Sequence, residues 1–343
     1  MRLFRCPGCN HLVFFENSTC VRCGGGLAFD PGSRLIAASP FQNASQSLCQ
    51  GGAPGCNWLA HGTSTRCLSC AMTVLPPPPA AARTDVRWSR IEAAKRRLLY
   101  TLLSLKLPLG GLGFSFPETG LTGHAGGLIT VVLSEADDAE RERRRVELYE
   151  PLRTLVGHFR HESGHFFFDK LILGSSLLCE VRATFGDERA EYGQALHNYH
   201  ASGPCADWSS SCITAYATAH PFEDWAETWA HYLHMIDAVE LLVAYGLRLS
   251  PTTVGPQGLA PADPAAVFAV VPRDPLSGNF DDLLAAWTPL TCLANSLNRS
   301  LGLQDWYPFV MCPAVIAKLR LIHRVVAEHR TGAQQFEAVS HAG

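Results

Sequence analysis

Apolar positions recur at helical spacing along several stretches of this chain. Trp88, Ile91, Leu98, Leu99, Leu102 and Leu103, interspersed with Lys and Arg, predict an amphipathic helix over Val86–Leu107, ended by Pro108 and the Gly110-Gly111 pair. The β-rich run Leu128-Ile129-Thr130-Val131-Val132-Leu133 follows a glycine-rich turn and predicts a strand, which either offers an edge to an extended peptide or belongs to the core. Residues 136–147 are charge-dense and helical. Pro151 suits the first turn of the next helix, running to Leu171, with Leu152, Leu155, Val156, Phe159 and Phe166 to Phe168 as its buried surface. Pro251 to Pro275 reads as a long surface connection. Helical periodicity returns over Phe280–Leu293 and Ala314–Arg330, with Trp306 and Tyr307 packing those helices onto the core, and Thr331–Gly343 reads as a frayed end.

The cysteines divide the chain differently. Eight of the 13 fall within residues 1–70. Cys6-Pro7-Gly8-Cys9 and Cys20-Val21-Arg22-Cys23 are two glycine-flanked knuckles, the pattern of a tetrahedral four-thiolate zinc site. Cys49, Cys56, Cys67 and Cys70 form a looser second set, expected to hold another structural zinc. An interleaved pairing between the two sets, or His61 as a substitute ligand, stays open. About 70 residues rich in Gly and Ser carry little core of their own and need metal to fold. The run Pro76-Pro77-Pro78-Pro79 then marks a stiff boundary. The organisation expected is a cysteine-rich zinc-ribbon or rubredoxin-like module over residues 1–74, a linker over 75–85, and a larger domain over 86–343.

A content of 47% hydrophobic and 17% charged residues supports a sizeable folded core. The most apolar stretch, Leu98 to Phe116, is broken by Lys106, Pro108 and glycines, so no membrane span is expected. No secretory signal is visible, which points to the cytoplasm. A net charge of -3 argues against specific nucleic-acid binding. The first 70 residues carry five arginines against Glu16 and Asp30, a local +3 compatible with a protein partner for the ribbon.

The chemistry is concentrated in His161-Glu162-Ser163-Gly164-His165. On a helix, spacing i, i+4 puts two imidazoles on one face, able to bind the same zinc, and places Glu162 within reach of a water. His158 shares the stripe without a ligand spacing and reads as a packed or supporting histidine. The metzincin continuation needs Gly and His where Phe168 and Leu171 stand, so that class is excluded. The third ligand must come from elsewhere, and Pro221 to His231 offers Glu223 and Glu227 one turn apart among aromatics.

Tyr216, six intervening residues, then Glu223-Asp224-Trp225-Ala226-Glu227 resembles the catalytic segment of anthrax lethal factor and, more broadly, the glutamate helix of gluzincins. With the paired-cysteine head, Gly157–His165 and Glu223–His234, most of residues 1–330 resembles a bacterial family of zinc-binding metallopeptidases bearing an N-terminal zinc ribbon. That resemblance implies an α+β chain: a zinc-ribbon module, then a mainly helical zincin-like domain with a small β-sheet. It also implies three zinc ions, one catalytic and two structural, and a peptide or protein substrate. Carried over by residue, it makes His161, His165 and Glu223 the catalytic zinc ligands, Glu162 the general base, Glu227 the carboxylate that orients a ligand histidine, and Tyr216 the oxyanion donor. The exchanged assignment, Glu227 on the metal, stays open, and His220, His231 and His124 are further oxyanion candidates. The rival readings are a ribbon-borne regulator with an inert peptidase-like body, and a purely structural zinc at His161 and His165.

Overall fold

The computed structural model describes residues 2–39, 46–78, 84–147, 154–247, 252–255, 258–261 and 279–340. The cysteine-rich segment is three short antiparallel hairpins: β1 (Phe4–Arg5) with β2 (Leu12–Val13), β3 (Leu27–Asp30) with β4 (Leu35–Ala38), and β5 (Gln46–Leu48) with β6 (Leu59–His61). A single helical turn, α1 (Leu68–Ala71), has Cys67 as its N-cap and carries Cys70.

This segment has more core than its composition suggests. Phe4, Phe15, Phe29 and Trp58 are buried together, Phe15 edge-on to Phe29 at 4.8 Å, and the cluster closes against Tyr100 of the long helix α2 (Thr84–Ser104) at 5.2 Å. The apolar surface the ribbon lacks is supplied by its neighbour.

The ribbon's last residues form β7 (Thr73–Leu75), an edge strand of a mixed sheet ordered β7-β8-β10-β9, with β8 (Gly113–Ser115), β9 (Gly123–Ala125) and β10 (Leu128–Thr130). The strand expected over 128–133 is thus shorter and lies inside the sheet, parallel to β8 and antiparallel to β9, so it offers no edge. Leu133 already begins a 3-10 turn, Leu133–Ala136.

The remainder is mainly helical: α3 (Asp138–Glu147), α4 (Leu155–Leu171), α5 (Leu178–Phe185), α6 (Tyr192–Ser202), α7 (Pro221–Ala244), α8 (Phe280–Ser300) and α9 (Pro313–Ser340). The architecture is α+β, a cysteine-rich head on a helical body with a small mixed sheet. Thr154 caps α4, its hydroxyl accepting from Gly157 N at 2.9 Å, and Pro151 lies outside the described residues. Part of the expected surface connection is an antiparallel pair, β11 (Thr252–Gly255) with β12 (Gly258–Pro261); its β-branched Thr252-Thr253-Val254 favours pairing, a signal masked by the surrounding prolines. Helix α9 continues past Arg330 to Ser340, through most of the segment expected to fray.

Helix α4 crosses α7 at very short range, and the motif itself is the reason. A Cβ on Gly164 would lie 2.8 Å from Ala226 Cα, so only glycine permits this approach. Trp225 Nε1 donates to Gly164 O at 2.9 Å and Trp229 Nε1 to Ser163 Oγ at 3.1 Å, while Phe167 stacks on Trp229 at 5.0 Å. The two residues between Glu162 and His165 therefore lock the helices together. Because α7 starts at Pro221, capped by His220, the lock brings its first turns alongside the histidine face of α4.

Candidate metal centre

Three donor atoms converge at that crossing. His161 Nε2 lies 3.2 Å from His165 Nε2 and 3.0 Å from Glu223 Oε2, and His165 Nε2 lies 3.6 Å from Glu223 Oε1. A tetrahedral zinc with bonds of about 2.0–2.1 Å to N and O spaces its ligand atoms about 3.3 Å apart, so the set fits that ion. Glu227 sits on the other side of His161: its Oε1 accepts from Nδ1–H at 2.6 Å, and Thr214 Oγ1 donates to its Oε2 at 2.7 Å. With the proton fixed on Nδ1, the Nε2 lone pair points to the common centre.

The charges favour a cation there. Burial alone would lower the His161 pKa, but hydrogen bonds to Glu223 and Glu227 outweigh it and raise it well above the ordinary value. Burial would raise Glu223, yet its bonds to His161 and His165 hold it well below the carboxylate range. A divalent ion would answer the same two carboxylates.

Glu162 is 8% exposed and makes no hydrogen bond among the described residues. Burial raises its pKa, an effect the nearby imidazoles partly offset, which moves a carboxylate toward the range useful to a base near neutrality. Tyr216 lies on a 3-10 turn, Tyr216–Thr218, its ring 6.1 Å from that of His161 and edge-on to Tyr199 at 5.5 Å.

The remaining histidines separate. His220 uses both nitrogens structurally, Nδ1 accepting from Phe222 N at 3.0 Å and Nε2 donating to Ala190 O at 3.1 Å, and so has no donor left for an oxyanion. His231 faces the core, 2.7 Å from the Tyr307 hydroxyl. His158 lies 3.5 Å from Glu135. His124, on the edge strand β9, stacks 6.5 Å from His165, accepts from Gly127 N at 3.1 Å, and is held neutral by burial and by His165, its pKa down to about 4.

The sequence reading passed over Tyr192, whose hydroxyl donates to Glu223 Oε1 at 2.5 Å. It stands 31 residues before its partner, and no local spacing signals such a pairing.

The cysteines assemble as Cys6/Cys9/Cys20/Cys23 and Cys49/Cys56/Cys67/Cys70. Sulfur separations of 3.8 Å (Cys6–Cys23), 3.6 Å (Cys9–Cys20), 3.6 Å (Cys56–Cys67) and 3.7 Å (Cys56–Cys70) match the spacing of about 3.8 Å around a tetrahedral zinc with bonds near 2.3 Å. The interleaved pairing is thereby set aside, and His61 bonds Asp30 at 2.9 Å instead of joining a thiolate set.

A family model described as "Putative zinc-binding metallo-peptidase" matches residues 84–325, and a zinc-ribbon domain model matches residues 3–80. Uncharacterized proteins of Mycobacterium bovis and of two strains of Mycobacterium tuberculosis are each 40% identical over 344 residues, covering 96% of this chain and 96% of the relative. No solved structure matches significantly. No described helix is long and apolar enough to cross a membrane.

Proposed function

Because the chain belongs to this zinc-binding metallo-peptidase family and carries its zinc ribbon ahead of the helical body, we propose that it hydrolyses peptide bonds at the α4–α7 crossing. The observation that carries the reading is the convergence of His161, His165 and Glu223 beside a buried Glu162 without a hydrogen bond of its own among the described residues. Those three ligands would hold a zinc ion, which supplies Lewis-acid polarisation of a carbonyl and lowers the pKa of a water to about 7.

The chain's own residues do the rest. Glu162 takes the proton from the attacking water and passes it to the departing amine. Glu227, steadied by Thr214, keeps His161 in the tautomer that binds metal. Tyr216 donates toward the developing oxyanion. Edge strand β9, with His124 facing His165, offers backbone groups to an extended substrate, a role that the interior strand β10 cannot take. The substrate is a peptide or protein, the ribbon a protein-binding appendage, and the setting the cytoplasm.

The test compares cleavage products released from a whole proteome by the wild type and by Glu162→Gln. Products unique to the wild type are expected, and identical peptide profiles would contradict the proposal.

A further inference from the structure

Glu223 is 1% exposed, and a carboxylate so buried must be oriented by donors. Its terminal torsion is soft, so two facing imidazoles leave more than one orientation open to it. The Tyr192 hydroxyl removes that freedom by donating to Oε1, the oxygen facing His165, while Oε2 faces His161.

Tyr192 is not a core tyrosine, being 41% exposed as the first residue of α6, a helix with no buried residue. The segment just before it is pinned to the start of α7. His220 donates to Ala190 O at 3.1 Å, and Gly186, at φ 102°, lies so near Pro221 that a Cβ would come within 2.9 Å of its ring. The Tyr192 ring meets His220 edge-on at 5.2 Å. The phenol is therefore delivered by a fixed strap to a residue in the first turn of α7, while the helix behind it contributes nothing to the core.

We propose that Tyr192 is a positioning residue of the metal centre: its O–H sets the Glu223 carboxylate in its ligand orientation and, by the same bond, latches α6 beside the site. This rests on the metal reading above. The hydroxyl lies 2.5 Å from Glu223 Oε1 and the carboxylate can only accept, so the phenol serves as a donor to the ligand. Partners of this kind typically change metal affinity by about 10–100-fold.

Full-length wild type and Tyr192→Phe, which keeps the ring contact with His220, are stripped of labile metal with a mild chelator, and Zn2+ or Co2+ is returned. Tyr192→Phe is expected to bind Zn2+ about 10–100-fold more weakly, to show an altered Co2+ visible spectrum, and to exchange its α6 amides faster while α7 is unchanged. Chelation-resistant zinc in the cysteine sites, equal in the two proteins, verifies that the variant is folded. Equal affinities and identical Co2+ spectra would overturn the role of Tyr192 alone. A wild type that takes up no labile metal would sink the metal reading, and this inference with it.

Discussion

His161 is gripped through both ring nitrogens, and this separates the two glutamates of α7: Glu223 meets Nε2 and Glu227 meets Nδ1. Lower on the same helix, His231 shows the opposite use of an imidazole. It is buried against Tyr307, and burial pushes its pKa down to about 4, with Glu227 partly opposing the shift. The unfolded chain takes up that proton near pH 6.5, so between pH 6.5 and 4 the unfolded state binds more protons than the native one. Native stability is therefore full above pH 6.5 and falls as the pH drops, by about 3 kcal/mol across that window through this residue. Urea unfolding at pH 7 and pH 4 should show the wild type losing about that much more than His231→Gln, whose amide can still bond Tyr307 but does not titrate. Equal losses would mean that His231 is not held neutral. The pairing of His161 and His165 is legible in sequence because their spacing is local. That of His231 is not, since its partner stands 76 residues away.

At the scale of elements, the site exists because α4 and α7 touch. Gly164 and Ala226 permit the approach, and the indole N–H groups of Trp225 and Trp229 fix its register. Gly164→Ala would place a methyl 2.8 Å from the Ala226 backbone. Overpacking of this kind costs about 1–3 kcal/mol, less the gain of about 1 kcal/mol that alanine normally brings to a helix interior. The variant should unfold at lower urea and hold the labile metal more weakly, whereas a stabilised variant would show that the crossing has room. Much of this element layer was readable beforehand. Helix α2, the charged α3 and α4 with its histidine pair follow from periodicity, and the four cysteine pairs from spacing. The edge position of β9 was not, because strand order is set by pairing between segments distant in sequence, and β7 and β8 join only after the whole of α2 intervenes. Helix α6 and its tyrosine escaped for a related reason: a helix without a buried face carries no apolar stripe to detect.

Over the whole molecule, the ribbon is built into the body and not merely strung ahead of it. Phe15 and Phe29 pack on Tyr100, and Lys95 of α2, fully buried, donates to Ser69 O at 2.8 Å, to Thr73 Oγ1 at 2.5 Å and to Glu92 at 2.9 Å. Ser69 adjoins Cys70, and Thr73 starts β7, so one buried lysine ties the second cysteine site to the sheet whose far edge lies by His165. On the proposed reading the two thiolate sites would support a third, chemically distinct centre, and metal counting tests this directly. Elemental analysis of the purified chain before and after mild chelation is expected to give three zinc ions per chain, one for each ligand group, falling to two as the ion at His161, His165 and Glu223 is withdrawn. Two zinc ions at the outset, both resistant to the chelator, would contradict the account.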